Sequence, residues 1–172
     1  MYQLPEKVRD LVPYEPLTGS YTIRADANES FLPLPANLRS EIADVVSKIE
    51  FHRYPDPTCT KLCESFAEFF GLNANHIAAG NGSDELIDLI ISSFTSKGES
   101  MAVVSPDFSM YRFYAQMCGV RVEEFSKEEN DLALDADAFI QFARAKKVSL
   151  VMLSNRCNPT SLAASREEIL KI

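Results

Sequence analysis

Apolar residues recur every three or four positions in two early stretches, first at Leu38, Ile42, Val45, Val46 and Ile49 and then at Leu62, Phe66, Phe69 and Phe70. That spacing lines up one face of a helix, and Gly71 supplies a stop for the second. The Tyr54-Pro55-Asp56-Pro57 segment between them reads as a tight turn. Farther on the pattern becomes strand, turn, helix, repeated. Ile77 to Ala79 reads as a short strand before a helix at Leu86 to Phe94, and Met101 to Ser105 as a strand before a helix at Met110 to Cys118. Val120 to Phe125 follows as a strand, Ala136 to Ala145 as a helix and Val148 to Ser154 as a short apolar strand. Such alternation predicts an α/β fold with a mostly parallel sheet and helices on both faces.

The two ends differ from this middle. Pro5, Pro13, Pro16, Pro33 and Pro35 exclude a long regular element over residues 1–35, which are expected to form an extended arm. At the other end Ser165 and Glu168 make a capping-box pattern, and the sequence stops at Ile172 two turns into that helix. The sequence is therefore expected to be a piece of a longer protein. No repeat or low-complexity segment interrupts it.

Composition narrows the function classes. The chain has 172 residues, enough for one domain with a real core, and 46% hydrophobic against 24% charged residues is a globular balance. A net charge of -8 argues against nucleic acid, whose phosphates require a basic face. Much of the acidity falls in Glu123, Glu124, Glu128, Glu129, Asp131, Asp135 and Asp137, expected as a solvated turn and helix. No stretch approaches the roughly 18 apolar residues of a membrane span, and no basic segment precedes an apolar core at the start. Cys59, Cys63, Cys118 and Cys157 show no metal-ligand spacing, so reduced thiols and a cytoplasmic location are expected, with no metal.

The chemistry concentrates in Ala79-Gly80-Asn81-Gly82-Ser83-Asp84-Glu85, a glycine loop that opens a helix. Glycines let the backbone approach an anion, and the unpaired amides of a helix's first turn point at it. The Gly-Lys-Ser/Thr ending of a P-loop and the Gly-x-Gly-x-x-Gly dinucleotide fingerprint are both absent. A plain helix start, with Ser83 as N-cap and Asp84 and Glu85 favouring the dipole, explains the same residues equally well.

Three further motifs, taken in order with this loop, change that balance. Arg53-Tyr54-Pro55-Asp56-Pro57, Gly80 to Leu86, Ser105-Pro106-Asp107-Phe108-Ser109-Met110-Tyr111 and Ser154-Asn155-Arg156-Cys157-Asn158-Pro159-Thr160 follow in order. With Val12-Pro13-Tyr14-Glu15-Pro16 and Asp26-Ala27-Asn28-Glu29-Ser30 ahead of them, they resemble the histidinol-phosphate aminotransferase family over nearly the whole sequence. The resemblance implies the N-terminal half of a fold-type I enzyme that binds pyridoxal 5'-phosphate and works as a homodimer. It implies an arm over residues 1–35 and the first half of the cofactor-binding large domain over 36–172, with 36–75 partly small-domain or interface helices. Transamination between histidinol phosphate and a 2-oxo acid, in histidine biosynthesis, is the activity it suggests, with small-molecule amino donor and acceptor as partners. A threonine-phosphate decarboxylase and a non-catalytic phosphate-binding fragment are the alternatives.

Roles follow by the same resemblance. Ser83 and Asp84 would hold the cofactor phosphate, Phe108 would stack on the pyridine ring, and Asn158 would donate to the ring oxygen. Tyr54 would reach the phosphate of the other subunit, and Tyr14 and Asn28 would line the substrate pocket. Ser83, Phe108 and Asn158 are thus expected around one cavity at the carboxyl edge of the sheet. The Schiff-base lysine has no matching motif, so no catalytic residue is assigned, and all eight lysines read as solvated. Two departures stand out. Arg156 occupies the neighbourhood of a customary proline, and Ser161 replaces the glycine of Asn-Pro-Thr-Gly, where a side chain resists positive φ.

Overall fold

The computed structural model describes residues 3–9, 11, 17–24, 29–127 and 130–172. Its contacts divide the chain into two compact units, one of residues 1–11 with 80–172 and the other of residues 12–79.

The second unit holds α2 (Ala36–Ser47) and α3 (Thr60–Phe70), the two helices that the apolar spacing predicts. Gly71 ends α3 in the left-handed conformation, at φ 66°, where a side chain would be strained. The α3 start is tied by Asp56, whose carboxylate accepts from the Thr60 amide at 2.7 Å, the Thr58 amide at 3.0 Å and the Thr58 hydroxyl at 2.9 Å. Donors from the Thr60 hydroxyl first, then the Thr58 and Thr60 amides, hold this carboxyl below the usual carboxylate range. Ile77 to Ala79 does not form the expected strand. Asn73 caps a 3-10 turn at Ala74–His76, and Ile77 is extended at φ -119° and ψ 131° without a partner strand to pair with. An apolar run can set the backbone, but a ladder needs a neighbour.

The first unit is built on three parallel strands, β1 (Ser100–Ser105), β2 (Arg121–Ser126) and β3 (Leu150–Met152), in the order β2-β1-β3. Central β1 pairs Met101 with Val122 on one side and with Leu150 on the other. Its side chains alternate between two cores, as the period of a strand requires. Met101 and Val103 pack with Ile87 and Ile91 of α4 (Ser83–Phe94) and with Tyr111 and Ala115 of α5 (Met110–Cys118). Ala102 and Val104 pack on the opposite face with Phe139 of α6 (Ala136–Lys146). The expected parallel sheet with helices on both faces is therefore present.

The caps explain where the helices begin. Asp135 accepts from the Ala138 amide at 2.9 Å to start α6, and Ser165 and Glu168 form a complete capping box at α7 (Arg166–Lys171). Among its described residues the Pro-rich beginning contains one helix, α1 (Glu6–Arg9), which docks on α5 through Lys7 Nζ to the Met117 carbonyl at 3.2 Å and Gln116 Nε2 to the Lys7 carbonyl at 3.1 Å. The acidic residues divide between roles: Glu123 pairs with Lys146 at 2.8 Å and Glu124 with Arg112, while Glu128 and Glu129 lie outside the described residues. No helix among the described residues is long and apolar enough to cross a membrane.

Candidate functional site

The strand order locates a crevice before any residue role is considered. From β1 the chain crosses α5 to β2 on one side, then returns across α6 to β3 on the other side of β1. Between the carboxyl ends of β1 and β3 the connections diverge, and open parallel sheets receive ligands at such a switch point. Phe108 follows β1 and Asn158 follows β3, so both lie beyond this pair of strand ends.

Asp107 clamps the two loops together. Its Oδ1 accepts from the Phe108 amide at 2.7 Å and its Oδ2 from the Ser154 amide at 2.9 Å, in the other loop. The Tyr111 hydroxyl lies 2.9 Å from Ser154 Oγ and adds a second tie. Burial is the main influence pushing the Tyr111 phenol above its ordinary value, so it stays protonated and able to donate. Phe108 stands edge-on to the Tyr111 ring, with centroids 5.7 Å apart and an 83° interplanar angle. It packs against the cluster that contains Ile87 and Ile91 of α4. Phe108 thus lies on the same face of the sheet as the helix that Ser83 begins.

At the start of α4 the N-cap is Gly82, at φ 86° and ψ 172°, and Ser83 is the first helical residue. This corrects the expectation of Ser83 as N-cap. Gly82 needs a positive φ that serine would adopt only with strain, so the turn falls one residue earlier. Glu85 reaches back to accept from the Asn81 amide, which removes that amide from the set open to a ligand. Gly80 permits this: a Cβ there would come within 2.9 Å of Glu85 Oε2 and 3.0 Å of Leu86 Cδ2. No side chain caps α4, and a Cβ built on Gly82 would meet nothing within 4 Å. The exposed Ser83 and the first-turn amides thus stand at a start that no side chain caps, with the positive end of the helix dipole behind them. The side chain of Asp84 behaves differently. Its Oδ1 is buried without a hydrogen-bond partner, and the Asp84 charge ranks behind burial among the causes that raise the Tyr114 phenol.

Asn158 is exposed on a loop that closes on itself. Asn155 Oδ1 accepts from the Ala164 amide at 3.0 Å and Asn155 Nδ2 donates to the Ala164 carbonyl at 3.2 Å. Within that clasp the Cys157 amide donates to the Leu162 carbonyl and the Ser161 amide to the Cys157 carbonyl, each at 2.8 Å. Ser161 is held at φ 61°, the conformation that its side chain resists. Replacing Ser161 with glycine is expected to stabilise the purified chain by about 0.5 kcal/mol, the left-handed penalty of about 1 kcal/mol less the extra unfolded-chain entropy of glycine. A urea midpoint that does not rise in Ser161→Gly would contradict the conformation of this loop.

Tyr54 lies in the other unit and is fully exposed. Tyr14 and Asn28 lie outside the described residues. Sequence patterns did not reveal Lys127. Far from solvated, it is buried, with Nζ donating to the Pro106 carbonyl and to Cys157 Sγ, each at 3.0 Å. Its position just past β2, where its amide continues the ladder to the Ser105 carbonyl at 2.9 Å, turns the side chain inward under the Pro106 loop. The Asp107 clamp was equally hidden, since its partner Ser154 is 47 residues away.

Comparison with known proteins adds an independent line. Residues 21–172 match the family described as aminotransferase class I and II. The histidinol-phosphate aminotransferase of Clostridium kluyveri is 40% identical over 97% of this chain and 47% of its own length. That of Pyrococcus furiosus is 38% identical over 97% of this chain and 48% of its own. Among solved structures, the histidinol-phosphate aminotransferase of Clostridium acetobutylicum aligns at 25% identity with a TM-score of 0.71, over 84% of this chain and 41% of that one. The chain spans about half the length of the curated relatives it matches. With the family matched over most of its residues and the same kind of parallel sheet beneath its motifs, the chain belongs to the aminotransferase class I and II family.

Proposed function

We propose that this chain is the N-terminal part of a pyridoxal-phosphate-dependent aminotransferase that exchanges an amino group between histidinol phosphate and a 2-oxo acid such as 2-oxoglutarate. The observation that carries the reading is the identity of 38–40%, over 97% of this chain, to relatives named for that activity. A homodimer in the cytoplasm is part of the same proposal.

The residues fit the cofactor through backbone donors. The uncapped α4 start offers the Ser83 and Asp84 amides and the Ser83 hydroxyl to the phosphate. The Asp84 and Glu85 carboxylates carry the wrong charge to touch it. They must be offset by cations, which the proposal assigns to the part of the relatives that this chain does not span, along with the lysine that moves the substrate proton. Bound pyridoxal phosphate supplies an electron-withdrawing ring that stabilises charge at the substrate α-carbon. Phe108, fixed by the Tyr111 ring and by Asp107 on its amide, offers one aromatic face to a flat ring. The Asn158 amide, on a loop clasped at both ends, can donate to an oxygen of that ring. Asp107 and Tyr111 set the spacing between these groups and keep the loops from parting. The full exposure of Tyr54 supports its use outside its own subunit. Tyr14 and Asn28 remain the proposed substrate contacts.

The test uses the protein expressed from its whole reading frame. Turnover of histidinol phosphate with 2-oxoglutarate, and no turnover of threonine phosphate, is expected. Release of carbon dioxide from threonine phosphate would overturn the transaminase reading.

A further inference from the structure

The contact between Lys127 and Cys157 serves neither substrate nor cofactor in the reading above. A buried lysine commonly pairs with a carboxylate, yet Lys127 Nζ reaches a carbonyl and a thiol, both at 3.0 Å. The pair sits beside a cavity of about 260 Å³ whose wall includes Lys127, Cys157, Ser154 and Leu162. A molecule the size of a peroxide can occupy that space.

We propose that Lys127 and Cys157 form a peroxide-sensitive modification site, in which the oxidised thiol becomes covalently bridged to the lysine amine. In the first step the Cys157 thiolate attacks one peroxide oxygen. An S–O bond forms and the O–O bond breaks, the leaving hydroxide takes a proton from the Lys127 ammonium as water, and the sulfur is oxidised by two electrons to a sulfenic acid while the peroxide is reduced. In the second step the now neutral Lys127 amine attacks the same sulfur. An N–S bond forms, the S–O bond breaks and a second water leaves, so the sulfenamide bridge needs no further oxidant. The starting separation of 3.0 Å puts the amine within reach of the sulfur.

The four cysteines differ in the way such chemistry requires. Burial works against ionisation of Cys157, but hydrogen bonds from Lys127 and from the Thr160 hydroxyl and amide outweigh it, and the thiol lies below its ordinary value. The Asp107 charge opposes them weakly. Burial, and then the Asp88 charge, push Cys118 upward, making it the less reactive thiol. Cys59 is exposed, while Cys63 is buried with its sulfur 3.6 Å from the Thr58 carbonyl. The bridge would join the segment just past β2 to the loop that carries Asn158.

The experiment treats the purified chain with a small excess of hydrogen peroxide, digests it and maps the peptides by mass. The expected product is a peptide pair joined through Lys127 and Cys157, lighter than the sum of its parts by two hydrogens, uncleaved by trypsin after Lys127 and separated by a thiol reductant. Lys127→Arg keeps the positive charge without a nucleophilic amine, so it is expected to give Cys157 sulfenic acid, trapped by a diketone reagent, and no bridge. Should that variant fail to fold, the wild-type map decides alone. Recovery of Cys157 as free thiol at a peroxide dose that oxidises Cys59, or oxidised Cys157 beside an unmodified Lys127, would overturn the proposal. None of these readouts depends on bound cofactor, so they stand apart from the transaminase assay.

Discussion

Replacement of Phe139 with alanine is expected to destabilise the sheet-bearing unit by about 3–5 kcal/mol, a large part of the stability of a domain this size. Phe139 is fully buried and is among the largest side chains so enclosed. It fills the space between α6 and the Ala102 and Val104 face of β1, and its ring meets Phe125 of β2 at 5.5 Å and 62°. Alanine removes the transfer free energy of the ring and leaves a cavity between rigid elements that cannot close around it. A matched control is Phe69→Ala, since Phe69 is 82% exposed and such a change should fall within about 0.5 kcal/mol. Chemical denaturation of both variants checks the difference. Equal midpoints would mean that α6 does not cover this face.

The second large effect separates binding from folding. Proline at the first turn of a helix is well tolerated, because the amide it lacks has no helical partner. Ser83 is the first residue of α4, and Gly82 before it has an extended ψ of 172°, which suits a following proline. Ser83→Pro should therefore keep the fold while removing both an amide and a hydroxyl donor from the proposed phosphate site. Two hydrogen bonds to a charged group, at about 1.5 kcal/mol each, correspond to roughly a hundred-fold weaker binding of pyridoxal phosphate. Equilibrium titration of the protein from the whole reading frame measures it, with the unfolding midpoint as the companion readout. Unchanged affinity in a folded Ser83→Pro protein would remove Ser83 from the phosphate site.

The elements that could be read in the sequence are those governed by local rules. The apolar spacing marked α2 and α3, Met110 to Cys118 matched α5 at both ends, and the Ser165 and Glu168 pair specified a capping box that is fully formed. Ile77 to Ala79 failed because strand formation depends on a partner, which no local pattern encodes. Leu150–Met152 is shorter than the apolar run from Val148 to Ser154, since the ladder ends where Ser154 turns its amide to Asp107. The candidate site divides in the same way. Glycines and a helix start are contiguous and visible, and the tension at Ser161 followed from the resemblance, which puts a glycine at that position. The Asp107 clamp and the burial of Lys127 arise from contacts between distant positions, and a lysine between two acidic runs carries every local mark of a solvated residue.

The strand order also sets a sequence of assembly. Pairing β1 with β2 closes the chain between residues 101 and 122, whereas pairing it with β3 closes it between residues 101 and 150. The longer closure costs about 0.7 kcal/mol more in chain entropy, and it lacks the single intervening helix that makes the first crossover nearly local. The β1, α5 and β2 unit is thus the nucleus favoured by topology, and β3 is the late arrival. During folding the Phe108 loop would take shape on an already formed strand and helix, while the loop carrying Asn158 waits for the final strand to dock and bring Ser154 to Asp107.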